Sequence, residues 1–301
     1  MFLSLFAKNP QKLDAIELLG HAPGKTLLVT AGMDGDEYAG IAAAHEIARR
    51  FSSRSFSGKL VIIPIVNMPG FMNESSHNPI DGKFPKMLFP GNVNGSSTEQ
   101  LVAPLAPHAF AADCWLDLHG GAITEGLNPF LWLHRTGHRE MDSRIDQIVS
   151  ANIADRILVE SCQMGTKAAQ LAKHGCMYVV AESGSRGNRG VVDVERHVRW
   201  AEAIMSSLGM IDESISRNIA AIVMNHIRYV IAPHDGIWTQ APLNPPINGG
   251  RPIAKDDVIG VASSFGLSRS RAITSPISGQ RLWWKETMRM KKGDVLCAIG
   301  Y

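Results

Sequence analysis

The sequence predicts an α/β protein: a mostly parallel mixed sheet with helices on both faces, followed by a C-terminal all-β domain. The first observation is that short, uncharged apolar runs alternate with helix-like segments up to about residue 225, which is typical of βαβ units. The second is that from Ile231 onward only short apolar runs between Pro and Gly remain, which indicates strands. We therefore predict an α/β domain over residues 1–228 and a β domain over 229–301.

The predicted elements of the α/β domain alternate along the chain. Residues 1–24 are expected to be an irregular or short helical lead-in. Uncharged apolar runs predict buried strands, and the 3.6-residue period predicts helices. The predicted strands cover residues 27–31, 59–66, 114–118, 130–134 and 177–181, and the predicted helices cover residues 37–51, 138–153, 193–208 and about 214–223. The segment 71–98 is rich in Pro, Gly, Asn and Ser, and we expect it to be ordered and functional because connections of this length are uncommon.

Composition excludes several classes of partner. The formal net charge of the 301-residue chain is +2, which gives no basis for binding nucleic acid or a membrane surface. The four cysteines are far apart and form no C-x-x-C motif, so reduced core cysteines in a cytoplasmic protein are expected. We find neither a signal peptide nor an apolar run of the roughly 20 residues that a membrane span requires. The expected partner is a small molecule, and a homo-oligomer is left open.

Residues able to bind metal or move protons follow three of the predicted strands. Asp34 and Glu37 follow the first, His119 ends the third and Glu182 ends the last. Each has a structural alternative: the carboxylates could cap the following helix, and the histidine could simply be a buried polar residue. Because the carboxyl ends of parallel strands meet at one crevice, we predict that these residues form one site.

The residue types at this site indicate metal-assisted hydrolysis. Two carboxylates and one imidazole leave a fourth coordination position open for water, which is typical of catalytic rather than structural zinc. A separate glutamate then serves as general base for the attacking water. We therefore predict Asp34, Glu37 and His119 as ligands of one zinc ion, and Glu182 as the catalytic base acting on a carbonyl substrate.

Five short motifs, in the same order along the chain, carry a family resemblance. They are Gly32-Met-Asp-Gly-Asp-Glu-Tyr38, Asn78-Pro-Ile-Asp-Gly-Lys83 with Phe89-Pro-Gly91, Asp117-Leu-His-Gly120, Glu182-Ser-Gly184, and Ser275-Pro-Ile-Ser-Gly279 with Lys292-Gly-Asp294. The set resembles the succinylglutamate desuccinylase/aspartoacylase family over residues 26–301. The resemblance implies a zinc-carboxypeptidase-like fold and cleavage of an N-acyl amide into a carboxylate and an amine.

The chain departs from the family pattern at two places. Asp34 stands where the family has its first zinc-binding histidine. A second carboxylate lowers the charge and Lewis acidity of the metal, and it could widen metal choice toward manganese or magnesium, which favour oxygen ligands. Lys86 and Met87 replace an Asn-Arg pair whose arginine binds the substrate carboxylate. Lys86 is then the candidate substrate-binding cation, without the bidentate geometry of arginine.

Three further residues are candidates for the same site. Asp117 lies two residues before His119 and projects from the same strand face, so either it contacts the ligand histidine and orients it or it is a structural aspartate. Arg186 and Arg189 follow Glu182 in a Gly-rich loop. Either arginine could bind a substrate anion or oxyanion, and either could be a solvated loop residue.

The leading hypothesis is a cytoplasmic, zinc-dependent deacylase acting on a small N-acyl amino acid or related N-acyl amine. The alternative is a metal-impaired binding protein that keeps the fold and the pocket without turnover, and the two departures motivate it. The sequence identifies neither the acyl group nor the amine.

Overall fold

A mixed eight-stranded sheet forms the centre of the α/β part in the computed structural model, which describes residues 13–213, 215, 220–241 and 252–301. Its strands lie in the order β1-β3-β2-β4-β8-β6-β7-β9, and all neighbours are parallel except β1 with β3 and β8 with β6. The strands are β1 (Ile16–Leu19), β2 (Ala22–Ala31), β3 (Ser57–Ile63), β4 (Cys114–His119), β6 (Phe130–Arg135), β7 (Arg156–Ser161), β8 (Met177–Glu182) and β9 (Ile222–Met224). A mostly parallel mixed sheet was predicted, and it is confirmed.

Helices cover both faces of this sheet because its strands are apolar on both sides. They are α1 (Tyr38–Phe51), α2 (Met68–Met72), α3 (Ser97–Val102), α4 (Leu105–Ala111), α5 (Arg139–Ser150), α6 (Lys167–Ala172) and α7 (Val191–Ser207), with a 3₁₀ helix at Pro85–Met87. Buried residues of α1, α5 and α7 join Leu27 and Val29 in one core. Buried residues of α3, α4 and α6 join Leu28 in the core on the opposite face. Successive residues of β2 thus point to opposite faces, as the period of a strand requires.

The C-terminal part consists of two antiparallel sheets around a separate apolar core. One has the strand order β10-β16-β14-β5 and the other β13-β12-β11-β15. The strands are β5 (Glu125–Leu127), β10 (Ile227–Ile231), β11 (Gly236–Gln240), β12 (Val258–Ser263), β13 (Ser270–Thr274), β14 (Gln280–Lys285), β15 (Arg289–Met290) and β16 (Val295–Gly300). The all-β prediction for this region is confirmed, and the predicted domain boundary after residue 228 falls inside β10.

One strand of the C-terminal sheets comes from the α/β part of the chain. β5 begins six residues after His119 and pairs with β14, with Trp283 opposite Leu127 and Lys285 opposite Glu125. Asn128 continues this contact, because its side-chain amide donates to the Arg281 carbonyl oxygen at 2.6 Å. The C-terminal β region is therefore attached next to the strand end that carries the histidine.

The structure differs from the predicted elements at both ends of the α/β part. The described portion of the lead-in contains β1 and the beginning of β2, whereas residues 1–12 lie outside the described residues. The predicted helix at 214–223 is wrong where it can be compared, because its last two residues belong to β9; positions 214 and 216–219 lie outside the described residues. Elements β7 and α6 were not predicted. No helix within the described ranges is both long and apolar enough to cross a bilayer.

Candidate metal centre

The loop between β2 and α1 brings Asp34 and Glu37 to the end of the sheet. Gly32 turns the chain with a φ of 62°, a conformation that glycine adopts without the Cβ penalty of other residues. A Cβ on Gly35 would lie 2.1 Å from the backbone nitrogen of Phe71, so only glycine fits there. The neighbouring chain fixes the turn, because the Asn67 amide donates to the Gly32 carbonyl oxygen at 2.8 Å.

Asp34, Glu37 and His119 converge at this edge. Each offers one ligand atom, and these three atoms lie within 4.8 Å of one another. His119 Nδ1 is 2.8 Å from Glu37 Oε2 and 3.8 Å from Asp34 Oδ2. All three side chains are buried, with exposures of 1%, 5% and 4% respectively. The predicted ligand set is therefore brought together, although the assignment of a metal to it stays a proposal.

Glu37 does not serve as a cap for α1. It precedes the helix, but its carboxylate makes no capping hydrogen bond. Glu37 Oε2 instead faces His119 and accepts a hydrogen bond from the Gly120 amide at 3.1 Å. Burial, and then the charge of Asp34, raise the pKa of Glu37 well above its ordinary value, against the opposing effect of His119. A buried carboxylate held next to an imidazole, away from its own helix, favours the ligand interpretation over capping.

Asp117 contacts the opposite nitrogen of the imidazole. Asp117 Oδ2 is 3.4 Å from His119 Nε2, so Nδ1 is the nitrogen that faces the carboxylate pair. Thr30 donates to Asp117 Oδ1 at 2.6 Å, and the Tyr178 hydroxyl donates to Oδ2 at 2.8 Å. Although burial opposes it, the charges of His119 and Lys167 lower the pKa of Asp117 below its ordinary value. This geometry is that of a carboxylate that orients a ligand histidine.

The side chains around Asp117 form a buried network that was not predicted. Lys167 Nζ lies 3.6 Å from Asp117 Oδ2 and donates to the Tyr178 hydroxyl at 2.9 Å. Trp115 Nε1 donates to Thr30 Oγ1 at 2.7 Å. The polar side chains of Thr30, Asp117 and Tyr178 interrupt the apolar runs of three adjacent strands, and that pattern was the signal available in the sequence.

Glu182 lies beside the histidine on the next parallel strand. His119 on β4 and Glu182 on β8 are paired in register, which places both at the same sheet edge. Burial is the main cause that raises the pKa of Glu182 from 4.5 to about 7, partly offset by the charges of His119 and Lys86. No described residue forms a hydrogen bond or ion pair with its carboxylate. A carboxyl group with these properties suits proton transfer near neutral pH.

Lys86 reaches the site from the 3₁₀ helix in the long connection. Its Nζ forms an ion pair with Asp34 Oδ2. Although desolvation opposes it, the charges of Asp34 and Glu37 raise the pKa of Lys86 above its ordinary value. The Lys86 side chain as a whole remains 40% exposed.

Among the described residues, neither arginine of the loop after β8 forms an ion pair with Asp34, Glu37 or Glu182. Arg186 has a positive φ of 58°, and its guanidinium donates to Glu286 Oε1 of the C-terminal part at 2.8 Å. Arg189 is exposed. A further acidic residue, Glu125, was not predicted; burial raises its pKa, and it interacts electrostatically with Lys86 and Asp34. The substrate-binding assignments of Lys86, Arg186 and Arg189 stay predictions.

The donor set fits a single divalent ion. Asp34 Oδ1 is buried and has no hydrogen-bond partner among the described residues, which is costly unless the oxygen has another partner. Two carboxylate oxygens and one imidazole nitrogen match the ligands that zinc accepts. Three protein ligands leave one position of a tetrahedral ion for water, as in catalytic zinc sites.

Fold and site together define a mixed α/β protein with a candidate single-metal centre at the carboxyl edge of its sheet and antiparallel β sheets in its C-terminal part. A family model for the succinylglutamate desuccinylase/aspartoacylase catalytic domain matches residues 23–208. The chain belongs to this family. The predicted resemblance is thereby confirmed, and the family's named members are deacylases and desuccinylases, which are hydrolases.

Individual relatives agree with this assignment. N-alpha-acetyl-L-2,4-diaminobutyric acid deacetylase of Halomonas elongata is 32% identical over 133 residues, which are 43% of this chain and 38% of that protein. A Rhodobacter sphaeroides succinylglutamate desuccinylase/aspartoacylase structure has a TM-score of 0.81 at 21% identity, covering 95% of this chain and 88% of the other. The product-bound ectoine utilization protein EutE (DoeB) of Ruegeria pomeroyi has a TM-score of 0.79 at 22% identity, with the same coverage. These structural similarities establish the fold.

Proposed function

We propose that the chain is a metal-dependent hydrolase that cleaves the amide bond of a small N-acyl amino acid or related N-acyl amine. The observation that supports it most is the buried convergence of Asp34, Glu37 and His119 within 4.8 Å, with Glu182 in register beside the histidine. Metal ligands and a separate carboxylate base at one edge are the components of metal-assisted hydrolysis.

In this proposal Asp34, Glu37 and His119 hold one zinc ion, and the oxygen-rich donor set also admits manganese or magnesium. A bound divalent ion supplies Lewis-acid chemistry, in that it polarises the acyl carbonyl and makes water more acidic. Asp117 keeps His119 oriented through the 3.4 Å contact with Nε2.

Glu182 moves the proton. Its carboxylate takes a proton from the attacking water and delivers it to the nitrogen of the leaving amine. A pKa of about 7 suits both steps, because the group can be ionised before attack and protonated after it. Lys86 lies nearest to the metal ligands and binds an anionic group of the substrate, and Arg186 or Arg189 contributes at the oxyanion.

The substrate class follows from the relatives as a proposal. The Halomonas elongata protein is named as a deacetylase of N-alpha-acetyl-L-2,4-diaminobutyric acid, so this compound and other N-acetyl and N-succinyl amino acids are the first to assay. We expect the zinc-loaded protein to release a free amine from at least one of them. A chelator should abolish the activity and added zinc should restore it.

The alternative is a binding protein without turnover. The ion pair of Lys86 with Asp34 favours it, because an ammonium can balance a buried carboxylate without any metal. Purified protein that takes up no zinc from micromolar solution would support the alternative. So would stoichiometric zinc uptake with no hydrolysis of any N-acyl compound.

A further inference from the structure

The two carboxylate oxygens of Asp34 have different surroundings. Oδ2 forms the ion pair with Lys86 Nζ, a residue 52 positions later in the chain. Oδ1 is buried and has no hydrogen-bond partner among the described residues. One oxygen is thus held by a cation of the protein itself, and the other remains available to a ligand.

Lys86 places a positive charge against a buried pair of carboxyl groups. Asp34 and Glu37 meet beside His119 in a place where Asp34 is 1% exposed. Buried charges are costly unless they are paired. Lys86 pairs with Asp34, and its ammonium repels any divalent ion bound to the same carboxylate.

We propose that Lys86 is the internal counter-cation of Asp34: it pairs with Oδ2, the oxygen that also lies 3.8 Å from His119 Nδ1, competes with a metal for this carboxylate, and lowers the affinity of the site for divalent ions. Lys86 is in this sense a positioning residue, and the inference rests on the proposed metal site. An ammonium has three donors, so a contact between Lys86 and a substrate anion remains compatible with this role.

Lys86 should also stabilise the folded protein when no metal is bound. Without Lys86 the buried Asp34 charge has no counter-ion among the described residues other than His119, so the metal-free protein loses stability. Once the metal binds, the carboxylate is neutralised by the ion, and the same substitution costs less. Lys86 therefore stabilises the metal-free protein more than the metal-bound protein. Because of this difference, Lys86 lowers the affinity of the protein for the metal.

The test is zinc affinity, measured by competition with a chromophoric chelator. Lys86→Met should bind zinc at least about tenfold more tightly than the wild type, because both the repulsion and the competition for Asp34 disappear. The melting temperature of the metal-free variant should be lower, and zinc should raise it by more than in the wild type. Lys86→Gln, which keeps a hydrogen-bond donor without the charge, serves as the second variant if the Met variant does not fold.

A matched control lies three residues upstream. Lys83 belongs to the same connection and lies 3.8 Å from Glu99, away from the ligands. Lys83→Met removes one positive charge from the same segment and should leave zinc affinity within about twofold of the wild type, since exposed charges are screened.

A double-mutant cycle with Asp34→His tests the pairing itself. Histidine cannot form the ion pair, so Lys86 loses its anchor, and Lys86→Met in this background should change zinc affinity by less than about threefold. An equal effect in both backgrounds would show that Lys86 acts without Asp34 and would overturn the inference. Unchanged or weaker zinc binding by Lys86→Met would overturn it too.

The outcomes separate this inference from the proposed function. If the wild type binds zinc and hydrolyses an N-acyl compound while Lys86→Met matches its affinity, only the counter-cation role fails. If the affinities change as expected without any hydrolysis, the counter-cation role stands and the proposed reaction fails. If neither the wild type nor any variant binds zinc, both fail.

Discussion

Replacing Glu182 by glutamine tests the catalytic assignment most directly. Gln keeps the size and planarity of the side chain but cannot accept the proton, so turnover should fall by roughly 10² to 10⁴. That loss corresponds to about 3 to 5 kcal/mol of transition-state stabilisation. Zinc content should not change, because the proposed ligands are other residues.

The pH profile supplies a second readout from the same variant. Burial raises the pKa of Glu182 to about 7 in the metal-free protein, and a divalent ion bound nearby lowers it from there because a positive charge favours the carboxylate. The kcat/KM of the wild type should therefore rise about tenfold per pH unit below the pKa of Glu182 in the zinc-loaded protein and level off above it. Steady-state rates between pH 5.5 and 8.5 measure this limb, which Glu182→Gln should lack.

The raised pKa of Glu182 also makes the free energy of unfolding depend on pH. The pKa of Glu182 is raised by burial, so between pH 4.5 and 7 the folded state binds more protons than the unfolded state, and stability falls as pH rises through that window. The metal-free wild type thus carries a penalty of up to about 3 kcal/mol at pH 8, which Glu182→Gln removes. Urea unfolding of both proteins at pH 4.5 and pH 8 measures the difference.

Glu140→Gln is the control for both measurements. Glu140 is an exposed residue of α5, paired with Arg144 at 2.9 Å, so its substitution should alter neither the rate nor the pH limb. Normal turnover in Glu182→Gln, or a variant that keeps the acid limb of the wild-type pH profile, would refute the assignment of Glu182 as the base. Loss of zinc from the variant would instead identify Glu182 as a ligand.

Four further substitutions address the ligands and their support. His119→Ala should abolish zinc uptake, whereas Asp34→His should keep zinc bound, and elemental analysis of the purified variants decides both. Asp117→Asn should weaken zinc binding by about 10- to 100-fold because it alters the partner of the ligand histidine; chelator competition would contradict this if the affinity were unchanged. Gly35→Ala should lower the melting temperature and zinc affinity together, because its Cβ would lie 2.1 Å from the Phe71 backbone nitrogen, and a variant with wild-type values would show that the loop adjusts without cost.

The positions of the proposed ligands could be predicted because each follows a short, uncharged strand. Asp34, Glu37, His119 and Glu182 are local in sequence to strand ends, and the geometry of a parallel sheet brings such ends together. Family motifs identified the same residues. To predict that these four side chains converge, it was therefore enough to place the strands and helices in the correct order.

The elements that were not predicted have weak local patterns. β7 begins with Arg156, which is 5% exposed, and contains Glu160, so no uncharged run marks it. α6 is only six residues long, too short for a helical period to show. The contact between Lys86 and Asp34 joins residues 52 positions apart, and no local pattern reports which distant side chain a lysine will reach.

β5 belongs to the α/β part of the sequence but pairs with β14 of the C-terminal part, and this pairing limits where the chain can be divided. A fragment that ended before β10 would leave β5 without β14, its strand neighbour, and would leave the Asn128 amide without the Arg281 carbonyl oxygen. The exposed edge would lie six residues from the proposed ligand His119. We therefore expect removal of the β region to lower metal affinity, and not only to change substrate specificity. The recombinant unit suited to expression and crystallisation is consequently the whole span from the first strand to β16, and the two halves should melt in one transition.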